Sequence, residues 1–204
     1  PENLRLWKAI RTLHEVTESV ISNRRNQHHF TPDLLGMFMA AEDPETGAKM
    51  SDRQLRDEIL TMLVAGHETT ANALSWTLYL ISRHASVGKK LEAEVDRVLG
   101  RQDATTSDLK KLTYCEQVID ESLRLYPPGW MAVRRSENGA ILGGYKVPKG
   151  SLVFVSPYAM HRNPNFWPEP DNFDPARFAP DAPEINRFTY FPFLRGQRQC
   201  IGDR

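Results

Sequence analysis

The segment Phe193-Leu194-Arg195-Gly196-Gln197-Arg198-Gln199-Cys200-Ile201-Gly202 brackets a lone cysteine with glycines and sets an arginine two residues before it. That pattern suits an exposed thiolate. Glycine allows a tight turn and close approach of a flat ligand, while the cation and free backbone N–H groups lower the thiol pKa. Taken alone, it equally fits a buried, inert cysteine in a turn. Zinc is a poor match, because no second cysteine or histidine stands at ligand spacing. A second cluster is Ala65-Gly66-His67-Glu68-Thr69-Thr70. In a helix, glycine there costs about 1 kcal/mol relative to alanine. Threonine hydroxyls can bond back to the preceding turn, so a local kink or bulge is expected. An acid beside a hydroxyl at such an opening can pass protons from solvent to something buried; a packing glycine on a polar face is the alternative. Glu121-Ser122-Leu123-Arg124 places an acid and an arginine three apart on one helix face, where they can pair, as many solvated pairs do. Phe173-Asp174-Pro175-Ala176-Arg177-Phe178 holds an arginine in an aromatic and proline frame, which an ordinary surface loop also explains.

The elements that must position these residues divide at the prolines, 11 of 14 of which lie between Pro127 and Pro192. Long helices are expected before that stretch and not within it. Apolar residues at helical spacing predict a helix over 3 to about 22, ended by the polar run Asn23-Arg24-Arg25-Asn26-Gln27, and another over 32–41 with Pro32 in its first turn. Ser51 and Gln54 read as a capping box, flanked by the staple Met50 and Leu55, for a helix running from 51 to about 84. At 1.5 Å per residue it spans roughly 45–50 Å, enough to cross a domain. Its apolar residues, among them Ile59, Leu63, Leu74, Trp76, Tyr79 and Leu80, sit on several faces, which predicts burial on all sides. A further helix carries Val87, Leu91, Val95 and Val98 and stops at Gly100; the next is capped by Thr113 and Glu116 and ends at Pro127-Pro128. Short strands are expected at 130–133, 145–147 and 152–155, then a long loop from 161 to 193. The fold class is mainly α with a small β region.

The 204 residues are 40% hydrophobic with 12 glycines, the composition of a globular chain rather than a disordered one. Lys+Arg 26 cancels Asp+Glu 26, so no nucleic-acid partner is expected. No apolar run approaches the roughly 18 residues of a membrane span. The two cysteines form no disulfide framework and point to a reducing, cytoplasmic setting; an N-terminal membrane anchor outside this sequence stays open.

Taken together and in order, the four clusters resemble the C-terminal half of a cytochrome P450, a haem-thiolate monooxygenase. The family pattern is A/G-G-x-D/E-T on the central helix, E-x-x-R on a later one, a P-E-R-F-like segment, and F-x-x-G-x-R-x-C-x-G; here these fall at 65–69, 121–124, 175–178 and 193–202. Ala176 replaces the usual glutamate, and Leu194-Arg195 replaces the small residues common in the loop. The resemblance implies the C-terminal part of that fold: long central helix, ExxR helix, short β-sheet, meander and cysteine loop. It also implies a single partial domain over 1–204, with the N-terminal half and the helix after the haem-ligand loop lying outside. Haem b (iron protoporphyrin IX) is the implied cofactor, with Cys200 as axial ligand to iron, and Phe193, Arg134, Arg198 and Gly202 as further haem-binding residues, the two arginines opposite the propionates. Thr69, with Glu68, would deliver protons on the distal side. Glu121, Arg124 and Arg177 would form a buried triad locking the loop before the cysteine.

The implied reaction uses O2 and two electrons, from a ferredoxin or an NAD(P)H-dependent reductase, to hydroxylate an apolar organic substrate of fatty-acid or terpenoid type. The alternatives are a thiolate-haem protein without monooxygenase activity, such as a sensor or a peroxide-rearranging enzyme, and a non-catalytic fragment; the Glu68-Thr69 pair argues against the former. Cys115 is expected in core packing, His28-His29 as a solvated loop pair, and His161 as a residue that fixes its loop.

Overall fold

The computed structural model describes residues 2–27 and 30–203, so His28 and His29 lie outside the described residues. The chain divides into two compact units, 1–68 and 69–204. In the first, α1 (Glu2–Asn26) runs through the polar segment expected to end it. Its last turn is held from outside. Arg24 donates two hydrogen bonds of 2.8 Å to the Asp33 carboxylate, and Arg25 reaches Asp52 at 2.6 Å. The second helix, α2 (Leu34–Ala40), starts beyond Pro32, correcting the expected start. Asp33 is its cap, accepting from the Gly36 N–H at 2.9 Å. The hydrogen bond from Arg24, followed by that from Gly36, brings the Asp33 carboxyl down to about 2. Position 36 admits only glycine, since a Cβ would stand 2.0 Å from the Thr31 carbonyl oxygen.

The long helix α3 (Asp52–Arg83, 32 residues) begins at the expected capping box: the Gln54 N–H donates to Ser51 Oγ at 3.3 Å, and the Ser51 N–H donates to Gln54 Oε1 at 3.0 Å. It is α-helical throughout, so the expected bulge at Gly66–Thr70 is absent from the backbone. Gly66 is not a close-approach glycine either, because a Cβ there meets nothing within 4 Å. Burial on all sides is not found in this chain: Leu63, Val64, Leu74 and Leu78 are more than half exposed, while Leu55 and Leu80 are buried.

In the second unit, α4 (Ala85–Val98) ends as expected before Gly100, whose φ of 59° falls in the left-handed region that glycine tolerates. Helix α5 (Thr113–Leu125) carries the E-x-x-R residues, and its cap differs from expectation. Instead of Thr113, the buried Glu94 carboxylate of α4 accepts from the N–H groups of Tyr114 and Cys115, both at 2.9 Å. A side chain from a neighbouring helix thus satisfies the orphan donors and the positive end of the dipole. Glu94→Gln leaves one N–H facing an amide NH2, so a loss of about 1–3 kcal/mol is expected. A thermal melt checks it, with a fall of about 2–4 °C per kcal/mol for a chain of this size; an unchanged midpoint would contradict it.

Strand β1 (Ala132–Arg135) lies two residues beyond its expected place, because the Trp130 carbonyl accepts instead from the Ser156 hydroxyl at 2.9 Å. β2 (Ala140–Leu142), which the pattern did not show, pairs with β3 (Tyr145–Val147) across Gly143-Gly144, both glycines at positive φ. β1 pairs antiparallel with β4 (Leu152–Val155) in the register Ala132↔Val155 to Arg135↔Leu152. The long loop is not structureless: it follows the short α6 (Pro157–Met160) and contains a 3-10 turn at Pro175–Phe178. Leu80, Val87, Val118, Leu125 and Phe173 form the core of this unit. Among the described residues no helix is long and apolar enough to cross a membrane. The observed class is mainly α with a small β region, as expected.

Candidate functional site

The cysteine turn is built by backbone hydrogen bonds. The Cys200 N–H donates to the Phe193 carbonyl at 2.9 Å, the Gln199 N–H to Gly196 at 3.0 Å, and the Leu194 N–H to Phe191 at 3.0 Å. Gly196 has φ 87° in open space. Leu194 has φ 62°, where a side chain costs roughly 1–2 kcal/mol, so this turn stores strain at Leu194. Cys200 is exposed, and the Gly202 N–H points at its Sγ from 3.4 Å. The cysteine is therefore not the buried one that the pattern also allowed. Phe193 is half-buried, and Arg198 is exposed. Arg134 on β1 is also exposed, its Nη1 donating to the Val133 carbonyl. Neither guanidinium joins an ion pair among the described residues, and no group of three or more His, Cys, Asp or Glu there could hold a metal ion.

The E-x-x-R residues form a buried charge network. Glu121 and Arg124 have no exposed surface and meet in a two-point pair, Nε to Oε2 at 2.6 Å and Nη2 to Oε1 at 2.8 Å. The other donors of Arg124 go to main-chain carbonyls of the loop: Nη1 to His161 and Pro170, both at 2.7 Å, and Nη2 to Asn172 at 3.0 Å. All five guanidinium N–H groups are therefore used. Glu121 Oε1 also accepts from the Asp174 N–H at 2.9 Å. Arg177 is looser than the expected fully paired member. Its Nε stands 3.4 Å from Glu121 Oε1 without a hydrogen-bond acceptor, and its Nη2 bonds the Glu169 carbonyl at 3.0 Å. A cleft of about 660 Å³ opens beside it, between Arg83, His84, Glu169 and Asp174; its lining does not include the Cys200 turn.

Three further residues complete the support. The Tyr190 hydroxyl donates to the Asp120 carboxylate at 2.9 Å, and burial raises the pKa of both groups. Trp167 is buried, its Nε1 donating to the Thr189 carbonyl, with the Arg124 guanidinium 5.1 Å above its ring. His161 is fully buried and bonds on both ring nitrogens. Of these, the sequence marked His161 as a residue that fixes its loop, which its bonds to the Arg124 carbonyl and the Phe191 N–H do, while Tyr190 left no signal there. Cys115 stays a thiol, its pKa raised by burial first and then by Glu94 and Glu116. Glu68 and Thr69 stand side by side on α3, both exposed, the former closing the first unit and the latter opening the second.

The cytochrome P450 family model matches residues 1–204. Cyclooctat-9-en-7-ol 5-monooxygenase of Streptomyces melanosporofaciens is 41% identical over 204 residues, covering 100% of this chain and 44% of the relative. Cyclooctatin synthase of the same organism is 40% identical over 203 residues, covering 98% and 44%. The solved structure "Retinoic acid bound cyanobacterial CYP120A1" superposes with a TM-score of 0.89 at 34% identity, covering 96% of this chain and 45% of that one. The chain thus spans less than half the length of the proteins it matches.

Proposed function

Because the chain belongs to the cytochrome P450 family, we propose that the protein is a haem-thiolate monooxygenase that hydroxylates an apolar organic substrate of fatty-acid or terpenoid type. The observation that carries this is the exposed Cys200 sulfur, presented on a glycine turn with the Gly202 N–H aimed at it. Among the described residues no group of three or more protein ligands accompanies this sulfur, which fits a metal that brings its other ligands with it, as iron does in a porphyrin. Arg134 and Arg198, neither of them in an ion pair among the described residues, fit the two acidic side chains that haem b carries. Phe193 and Gly202, at the two ends of the Cys200 segment, are assigned to the same group.

When bound, haem b would supply the iron at which O2 is activated with two electrons from a ferredoxin or an NAD(P)H-dependent reductase. The chain's own part is to hold and to deliver. Cys200 would hold the iron through its sulfur, at which the Gly202 N–H is aimed. Glu121, Arg124 and Arg177 keep the loop leading to that turn in one conformation. Glu68 takes a proton from solvent, and the Thr69 hydroxyl passes one on at Oγ1. Hydrocarbon skeletons in the names of the relatives, cyclooctat-9-en-7-ol and retinoic acid, support an apolar substrate here.

The decisive test is transfer of label from 18O2 into a hydroxylated product, together with the reduced carbon-monoxide spectrum of the haem-loaded protein. Water-derived label, or a band without the thiolate red shift, would refute the reading. Thr69→Ala is expected to bind haem normally while product formed per electron pair falls by about tenfold or more, the remainder appearing as peroxide. Unchanged coupling would remove Thr69 from proton delivery.

A further inference from the structure

We infer that His161 is a positioning residue for the Cys200 turn, acting through the hydrogen bond its Nε2 accepts from the Phe191 main chain; this rests on reading Cys200 as the haem thiolate. The geometry defines the tautomer. A main-chain N–H can only donate, so Nε2, 3.0 Å from the Phe191 nitrogen, is the unprotonated acceptor. Nδ1 then carries the proton and donates to the Arg124 carbonyl, 3.2 Å away. The ring is fully buried, lies 5.2 Å from Tyr190 and meets Phe191 edge-on at 5.4 Å. Burial first, with the Arg124 and Arg162 cations adding to it, lowers its pKa to about 4 against the weaker opposing pull of the Arg124 and Leu123 main chain. The neutral form is therefore the one present at neutral pH.

From this ring a relay of single hydrogen bonds leads to the sulfur-bearing residue. The Arg124 carbonyl holds His161, His161 holds the Phe191 N–H, the Phe191 carbonyl holds the Leu194 N–H, and the Phe193 carbonyl holds the Cys200 N–H. The link matters because the turn is strained at Leu194, φ 62°. A strained residue persists only where its surroundings over-determine it, and His161 supplies the constraint at the start of the turn. Its own carbonyl is held in return by Arg124 Nη1, so ring and main chain are clamped to the same helix residue.

Two nearly equal-sized replacements isolate the hydrogen bond. In His161→Gln the amide Oε1 can accept from the Phe191 N–H; in His161→Met nothing can, and the N–H is stranded in a dry site. In haem-loaded protein, the ratio of the thiolate-type band to the displaced, thiol-type band of the reduced carbon-monoxide complex is expected to fall about tenfold in His161→Met. His161→Gln should recover most of it. A role confined to fold stability would lower the melting midpoint without changing that ratio in the folded, loaded fraction. Equal ratios in the two variants, whether both keep the thiolate band or both lose it, overturn the proposal. Failure of the underlying reading shows separately: the natural protein would then lack the thiolate band, or Cys200→Ser would retain it.

Discussion

Cys200→Ser protein is expected to show none of the red-shifted thiolate band in its reduced carbon-monoxide spectrum while folding as well as the natural chain. Both halves of that expectation come from the turn. Its shape is made by main-chain bonds, from Cys200 to Phe193, Gln199 to Gly196 and Leu194 to Phe191, and by the positive φ of Gly196. None of these involves the sulfur. The side chain is exposed and its contact within the chain is the 3.4 Å approach of the Gly202 N–H, so its exchange should change stability by no more than about 0.5 kcal/mol. The chemistry is the opposite case. A hydroxyl is not ionised at neutral pH and supplies neither the charge nor the soft donor that iron takes from a thiolate. Complete loss of the band at an unchanged melting midpoint assigns Cys200 as the ligand. A retained band would show another ligand and sink the assignment.

How far the sequence alone reached depended on the range of the interaction. The start of α3 was legible because Ser51 and Gln54 cap it within one turn. The start of α5 was not. Thr113 and Glu116 have the right types and spacing, yet Glu94, about twenty residues earlier on α4, takes the free N–H groups with both carboxylate oxygens. Local pattern names a possible cap; tertiary contact decides which is used. In the β region, β2 has three residues, all exposed, too short for alternation to show. The place of β1 is set by its partner β4, seventeen or more residues later, and by Ser156 claiming the Trp130 carbonyl.

The same division runs through the site. The i, i+3 spacing brought Glu121 and Arg124 together on paper, and the glycine pattern around Cys200 marked a turn while leaving open whether its cysteine was exposed or buried. What Arg124 does with its remaining donors had no sequence signature, because its partners are main-chain carbonyls at His161, Pro170 and Asn172, which every residue possesses. The bulge expected from Gly66 and the threonines failed for a related reason. Propensity penalties of about 1 kcal/mol are easily overridden inside a helix of 32 residues.

Those carbonyls set the size of the effect at Arg124. Breaking a buried ion pair by removing one partner typically costs about 3–5 kcal/mol, because the remaining charge is stranded. Arg124→Ala strands Glu121, which has no exposed surface, and also three loop carbonyls. Set against a total stability of about 5–15 kcal/mol, that loss is enough to prevent the loop from closing over its core. The expected result is protein that takes up no haem and melts broadly or early. Arg124→Lys should fare little better, since an ammonium cannot serve a two-point carboxylate and three divergent carbonyls at once. Apolar replacement of the pair, Glu121→Met with Arg124→Leu, often rescues buried ion pairs elsewhere. It should not do so here, because the carbonyls and the Asp174 N–H stay unpaired. Arg177→Ala should be milder, as that side chain makes one main-chain bond and a 3.4 Å ion pair. Haem content and melting midpoint, measured across the four proteins, should therefore rank Arg177→Ala well above the other three. Haem-loaded Arg124→Ala protein melting within about 2 °C of the natural chain, less than 1 kcal/mol at this size, would show that the loop does not depend on this arginine.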